Sequence, residues 1–126
     1  MGVDMTASRK ALGRLGEELA ARELAARGYR IRERNWRCPT GELDIVAEDG
    51  DVLAFVEVRT RRGQEFGTPE ESVTPVKQAK LVELAATYAQ EKNWPGDWRI
   101  DVVAVELTSD GKLLRVEIIQ NAVGEW

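Results

Sequence analysis

The chain has 126 residues, enough for one domain with a substantial core, and carries 22 Asp+Glu against 18 Lys+Arg for a formal net charge of −4. Histidine is absent and Cys38 is the sole cysteine, which excludes an internal disulfide, Cys/His zinc sites, Ser-His-Asp triads and Cys-His pairs. Any metal must then be a hard ion held by oxygen, such as Mg²⁺ or Mn²⁺. No apolar run approaches the roughly 18 residues of a membrane span, and the opening MGVDMTASRK lacks a signal-peptide core, so the expectation is a cytoplasmic protein without a membrane partner.

In chain order, residues 1–7 are expected to be flexible. The spacing then predicts a helix over Ser8–Arg27, with Leu12, Leu15 and Leu19 on one arc and Gly28 as its stop. Tyr29–Trp36 alternates apolar residues with arginines, as a strand with one exposed face does. Leu43–Ala47 and Val52–Val58 are apolar strands flanking Glu48-Asp49-Gly50-Asp51, where Asp-Gly signals a hairpin. Thr60–Val73 is a long polar loop. Thr74 and Pro75 form an N-cap and first position for a second helix reaching about Lys92, and Arg99–Glu106 and Leu113–Ile119 are two further strands. The order α-β-β-β-α-β-β describes one α/β domain over 1–126, a mixed sheet covered by helices.

Charge is unevenly spread. Residues 1–62 hold 12 Lys+Arg against 11 Asp+Glu, and residues 63–126 hold 6 against 11. A bulk-charge coat for nucleic acid is excluded, while a local basic patch beside acidic ligands is allowed.

Asp44 and Glu57 stand within the apolar hairpin, where an ionised carboxylate is costly. With Ala47 opposite Val52, Glu42 faces Glu57 and Asp44 faces Phe55. One face then carries Glu42, Asp44, Phe55, Glu57 and Arg59, and the other carries Leu43, Ile45, Ala47, Val52, Ala54, Val56 and Val58. Asp44 and Glu57 become diagonal neighbours at roughly 7–8 Å, a gap that one cation can bridge. The alternative is a surface hairpin whose acids pair with Arg59, Arg61 or the arginines of the preceding strand. The hairpin alone leaves both open.

Gly41-Glu42-Leu43-Asp44-Ile45-Val46 followed by Phe55-Val56-Glu57-Val58-Arg59-Thr60-Arg61 resembles the bacterial YraN-like family of uncharacterised proteins. Gly16-Glu17 with Ala20, Gly28-Tyr29, Asn35 with Arg37, Phe66-Gly67, Val73 with Lys77, and Arg99-Ile100-Asp101-Val102-Val103 extend the likeness over nearly the whole chain. That family is similar to the restriction-endonuclease-like PD-(D/E)xK nucleases, near the archaeal Holliday junction resolvases. The resemblance implies that fold, with Asp44 and Glu57 as metal-binding carboxylates, the Val58 carbonyl as a further ligand and Glu17 as an added acid from the first helix. Arg59 stands where those nucleases carry a lysine. It stays protonated and cannot act as a base, but it can hold a phosphate bidentately.

Lys77, in the first turn of the second helix and on a stripe with Leu81, Leu84 and Tyr88, can replace that lysine or merely snorkel over an apolar face. Arg37, Arg59, Arg61, Arg62 and Lys77 are the candidate nucleic-acid contacts. Asp101 reads as a structural ion pair with an arginine. Trp36, between Arg34 and Arg37, reads as a partly buried anchor or a base-stacking platform. Trp94, Trp98 and Trp126 read as packing or interface residues.

The function implied by the resemblance is an Mg²⁺- or Mn²⁺-dependent endonuclease acting on DNA, branched DNA included, with a homodimer matching the two-fold symmetry of a junction. The other readings are a nucleic-acid binder that does not cut and a protein-interaction module on a nuclease scaffold.

Overall fold

The computed structural model describes residues 5–63 and 67–123. Its elements are α1 (Met5–Ala26), β1 (Arg30–Cys38), β2 (Gly41–Asp49), β3 (Val52–Arg62), α2 (Pro75–Glu91), β4 (Trp98–Leu107) and β5 (Leu113–Ile119). The five strands form one sheet in the order β1-β2-β3-β4-β5. Three contacts are antiparallel, and only β3–β4 is parallel. A parallel step requires a crossover, and α2 supplies it. This α-β-β-β-α-β-β arrangement, with helices on both faces of a mixed sheet, is the one expected of the restriction-endonuclease-like fold.

Each face buries its own core. Leu81, Leu84, Ala85 and Tyr88 of α2 pack with Leu43, Val46, Leu53, Phe55, Ile100 and Val102. Ala20, Ala21 and Leu24 of α1 pack with Ile45, Ala47, Ala54, Val56, Val103 and Val105. The period-2 side-chain alternation of β3 and β4 sends successive residues to opposite cores, so the buried runs Leu53–Val56 and Val102–Val105 are apolar at every position.

Several expectations are corrected. α1 starts at Met5, so residues 5–7 lie in its first turn, and the rest of the 1–7 segment lies outside the described residues. Leu15 does not face the core: it is 45% exposed, and the buried arc is Ala20, Ala21 and Leu24. The reason is close approach, because a Cβ at Gly16 would sit 1.9 Å from Thr60 Oγ1 and only small residues fit where α1 crosses β3. Thr60 to Arg62 are strand rather than loop, since β3 pairs with β4 as far as Arg62–Leu107. A short 3₁₀ turn at Glu70–Ser72 follows. Phe66 and Trp126 lie outside the described residues.

The hairpin register also differs. Asp49 pairs with Val52, Ala47 with Ala54 and Ile45 with Val56, so the turn is the two residues Gly50-Asp51. Gly50 has φ 60°, a conformation that glycine takes without steric cost. A two-residue turn has the same parity as the expected four-residue one, so facing positions keep their side of the sheet while each partner moves by two residues, from Val52 to Ala54 opposite Ala47.

Candidate active site

Glu57 follows Leu53 and Phe55 on the α2 face of β3 and is 5% exposed. A lone carboxylate there would be strongly unfavourable. Its Oε2 lies 2.9 Å from Arg59 Nη2 and 3.5 Å from Lys77 Nζ. Lys77 is delivered by the predicted cap: Thr74 Oγ1 accepts the Lys77 N–H at 3.2 Å, and Pro75 occupies the first turn.

Asp44 reaches Glu57 by a route that the sequence pattern did not show. Leu43 packs in the α2-side core and Ile45 in the α1-side core, although residues two apart on a regular strand share a face. The alternation of β2 therefore breaks across Asp44, and the expected single apolar face of Leu43, Ile45 and their partners does not exist. The recorded β2–β3 ladder stops at Ile45–Val56. On β1, Arg34 pairs with Ile45 and Trp36 with Leu43, while Asn35 between them has φ 55°. Beyond the end of the ladder, the Val58 N–H donates to Asp44 Oδ2 at 2.9 Å in place of a β2 carbonyl.

This placement is electrostatically costly. Burial first, and then the neighbouring Glu57 charge, push the Asp44 carboxyl up to about 7, against the opposing pull of the Val58 N–H; Glu17 adds to the rise. Burial likewise raises Glu17, with Glu42 and Glu57 adding and Arg34 opposing. Glu17 is carried in by the Gly16–Thr60 contact and borders the same cleft of about 370 Å³, along with Asn35, Glu42, Asp44, Val58 and Arg59. Arg59 Nε is buried without a hydrogen-bond partner among the described residues. A buried orphan donor is uncommon and marks a place for an acceptor.

The donor set suits a hard divalent ion. Two carboxylates are crowded enough that one is driven toward neutrality, and a cation would relieve that repulsion. Among the described residues no group of three His, Cys, Asp or Glu side chains is disposed to hold a metal, so Asp44 and Glu57 would act with water as the main partners.

The other sequence candidates fall at varying distances from this cleft. Arg37, with its side chain 77% exposed, pairs with Glu42 at 2.8 Å and so meets the rim through that residue. Arg62 donates from Nε to the Ser109 carbonyl, and Arg61 is half-buried on the same stretch of β3. The remaining arginines of the first cluster are also paired: Arg27 with Glu23, Arg30 and Arg32 with Glu48, and Arg34 with Glu18. Trp36 is not a stacking platform, because it is buried against the Tyr88 ring edge-on at 5.2 Å. Trp98 packs edge-on to Phe55, and Trp94 bonds the Asp97 carbonyl.

Asp101 is the structural acid expected. It is fully buried and accepts from Tyr29 Oη and Arg99 Nε, each at 2.9 Å, and from the Asn121 N–H at 2.8 Å. Leu12, Gly13, Asn35, Glu42 and Thr60 also line the cleft without having been expected as site members. Asn35, Glu42 and Thr60 belong to the family likeness and could have been found there, whereas Leu12 and Gly13 carry no chemistry that would single them out.

Residues 16–105 match the uncharacterised protein family UPF0102. The chain belongs to the UPF0102 family. A UPF0102 protein of Pelotomaculum thermopropionicum is 50% identical over 119 residues, covering 94% of this chain and 99% of the relative. One of Moorella thermoacetica is likewise 50% identical over 119 residues. One of Symbiobacterium thermophilum is 52% identical over 112 residues, covering 88% and 94%. The YraN-like resemblance therefore holds. The UPF0102 match starts at Gly16, where α1 meets β3, and spans Glu17, Asp44, Glu57, Arg59 and Lys77.

Proposed function

We propose that this UPF0102 protein is an endonuclease that hydrolyses phosphodiester bonds in DNA, branched DNA included, with Mg²⁺ or Mn²⁺. The observation that carries the reading is the crowding of Asp44, on the wall of the cleft, by the buried Glu57 beside it, together with Arg59 on the same wall, whose buried Nε–H has no partner among the described residues. Asp44 and Glu57 would hold the ion, with the Val58 carbonyl as a further candidate, while Glu17 stands on the cleft wall without completing a three-acid group with them. When bound, such an ion makes a water more acidic and offsets charge on phosphate oxygens. Arg59 orients the phosphate through its planar fork and, being permanently protonated, takes no proton. Lys77 adds a second positive charge from the first turn of α2. The residue that would accept a proton from water is not among these two.

The same substitution of arginine for the nuclease lysine favours a second reading, in which the cleft binds a nucleic-acid backbone without cutting it. The test incubates labelled duplex, single-stranded, flap and four-way-junction DNA with Mn²⁺, Mg²⁺ or EDTA. The expected result is metal-dependent cutting that falls at least about a hundredfold in both Asp44→Asn and Glu57→Gln, the scale on which a charge-stabilising group is lost. Salt-sensitive gel shifts without cutting would establish the second reading, and neither activity would remove both.

A further inference from the structure

We propose that Glu57 is a latch that couples the two ligands of the cleft: its carboxylate holds Arg59 and Lys77 until a divalent ion takes it, and the released cations then bind the phosphate. This rests on the metal-and-phosphate reading given above.

Three observations converge. Arg59 and Lys77 come from different elements yet meet the same oxygen, Oε2 of Glu57. That carboxylate is buried and sits beside Asp44, so it is also the natural partner of Asp44 in holding a cation. Arg59 lines the cleft and is only half satisfied among the described residues, with Nη2 on Glu57 and Nε buried without a partner. Oε2 cannot serve both sets of cations at full strength. A divalent ion on Glu57 would repel Arg59 and Lys77 and compete with them for the carboxylate. Both side chains can then turn to an oxyanion, and Arg59 can use Nε and Nη2 together, the fork that carboxylates and phosphates share. The reverse holds by linkage: an anion that draws Arg59 and Lys77 away leaves Glu57 free for the ion. Before any ion binds, the cleft also has Glu17, Glu42 and Asp44 along its wall, which disfavours a phosphate while the two cations are engaged. The chain thus binds phosphate more tightly with its metal than without it.

The test is NMR of the ¹⁵N-labelled full chain, following backbone amides and the Arg59 Nε–H signal during titration with inorganic phosphate, in EDTA and in saturating Mg²⁺. For wild type, Mg²⁺ should tighten phosphate binding by about tenfold, the worth of one charge-assisted contact. Glu57→Gln in EDTA should match that tightened value and respond no further to Mg²⁺, and the Arg59 Nε–H signal should shift on saturation. The gain should vanish in Glu57→Gln/Arg59→Gln. Lys77→Gln, whose partly exposed side chain can be lost without unfolding the helix, should bind Mg²⁺ severalfold more tightly than wild type because one competitor is gone. Phosphate binding by Glu57→Gln in EDTA no tighter than wild type, or a gain that survives loss of Arg59, would overturn the latch. So would unchanged Mg²⁺ affinity in Lys77→Gln. DNA cutting is scored separately: cutting without coupling removes the latch and leaves the nuclease, whereas coupling without cutting does the reverse.

Discussion

Asp44 and Asp101 are both strand carboxylates, and the fold treats them in opposite ways. Asp101 is fully enclosed and has three donors, so its charge is matched where it sits. Removing it in Asp101→Ala leaves the Arg99 guanidinium without one of its partners, and urea unfolding should show a loss on the order of 3 kcal/mol. Mg²⁺ binding by the folded fraction should not change, because this network lies apart from the cleft. Asp44 has one N–H and a like charge beside it. Its carboxyl is raised from 3.8 to about 7, so folding favours the neutral form. The resulting stabilisation is complete below the unfolded pKa and is lost as pH rises toward 7. In EDTA, wild type should therefore lose on the order of 2 kcal/mol relative to Asp44→Asn between pH 5 and pH 8, as read by urea midpoints at each pH. The amide can still accept the Val58 N–H, so that bond does not confound the comparison. A pH-independent difference between the two proteins would refute the strained-carboxylate account.

At the scale of elements, the contact between α1 and β3 decides whether Glu17 belongs to the site. Gly16 has Thr60 Oγ1 where a side chain would begin, so helix and strand meet through bare backbone on one side. Gly16→Val should cost about 2–3 kcal/mol by overpacking and should also move Glu17 from the cleft rim. Thr60→Ala in the same chain should recover part of the loss, since it removes the nearest atom but leaves the Thr60 Cβ position at 3.0 Å. The start of α2 is a second such control. Thr74→Ala removes the acceptor for the Lys77 N–H and should destabilise by about 1 kcal/mol in thermal or urea melts.

For the whole molecule, the charge balance limits how DNA can be held. Arg27, Arg30, Arg32, Arg34 and Arg37 are all committed to glutamates, so the basic run of the first half does not form a free phosphate-binding surface. Of the candidate contacts, Arg59 lines the cleft, Lys77 shares the Glu57 carboxylate with it, and Arg61 and Arg62 follow on β3. A plot of log affinity for a DNA duplex against log salt should accordingly have a shallow slope, about −2 to −4, as expected for a few phosphate contacts. A slope near −8 would mean that the paired arginines open on binding and that the paired state is not the one that meets DNA.

How much of this was legible depends on the range of the physics involved. The helix cap at Thr74-Pro75, the stop at Gly28, the Asp-Gly turn and the apolar runs act over a few residues, so element order, fold class and the pairing of Asp44 with Glu57 followed from the sequence and its family resemblance. The absence of histidine and the single cysteine limited any metal to oxygen ligands. The register was two residues off because several turn lengths satisfy the same alternation, and only packing on both faces selects among them. The break in β2 across Asp44, the burial of Trp36, the glutamate partners of the arginines and the grip of Lys77 on Glu57 depend on closing distant layers together, as the bond between Tyr29 and Asp101 does across 72 positions. Composition and local pattern thus determined which groups this protein has to work with. Tertiary structure decided which of those charges are already matched and which are left crowded, because that balance is set by burial and by neighbours that adjacency in the chain does not specify.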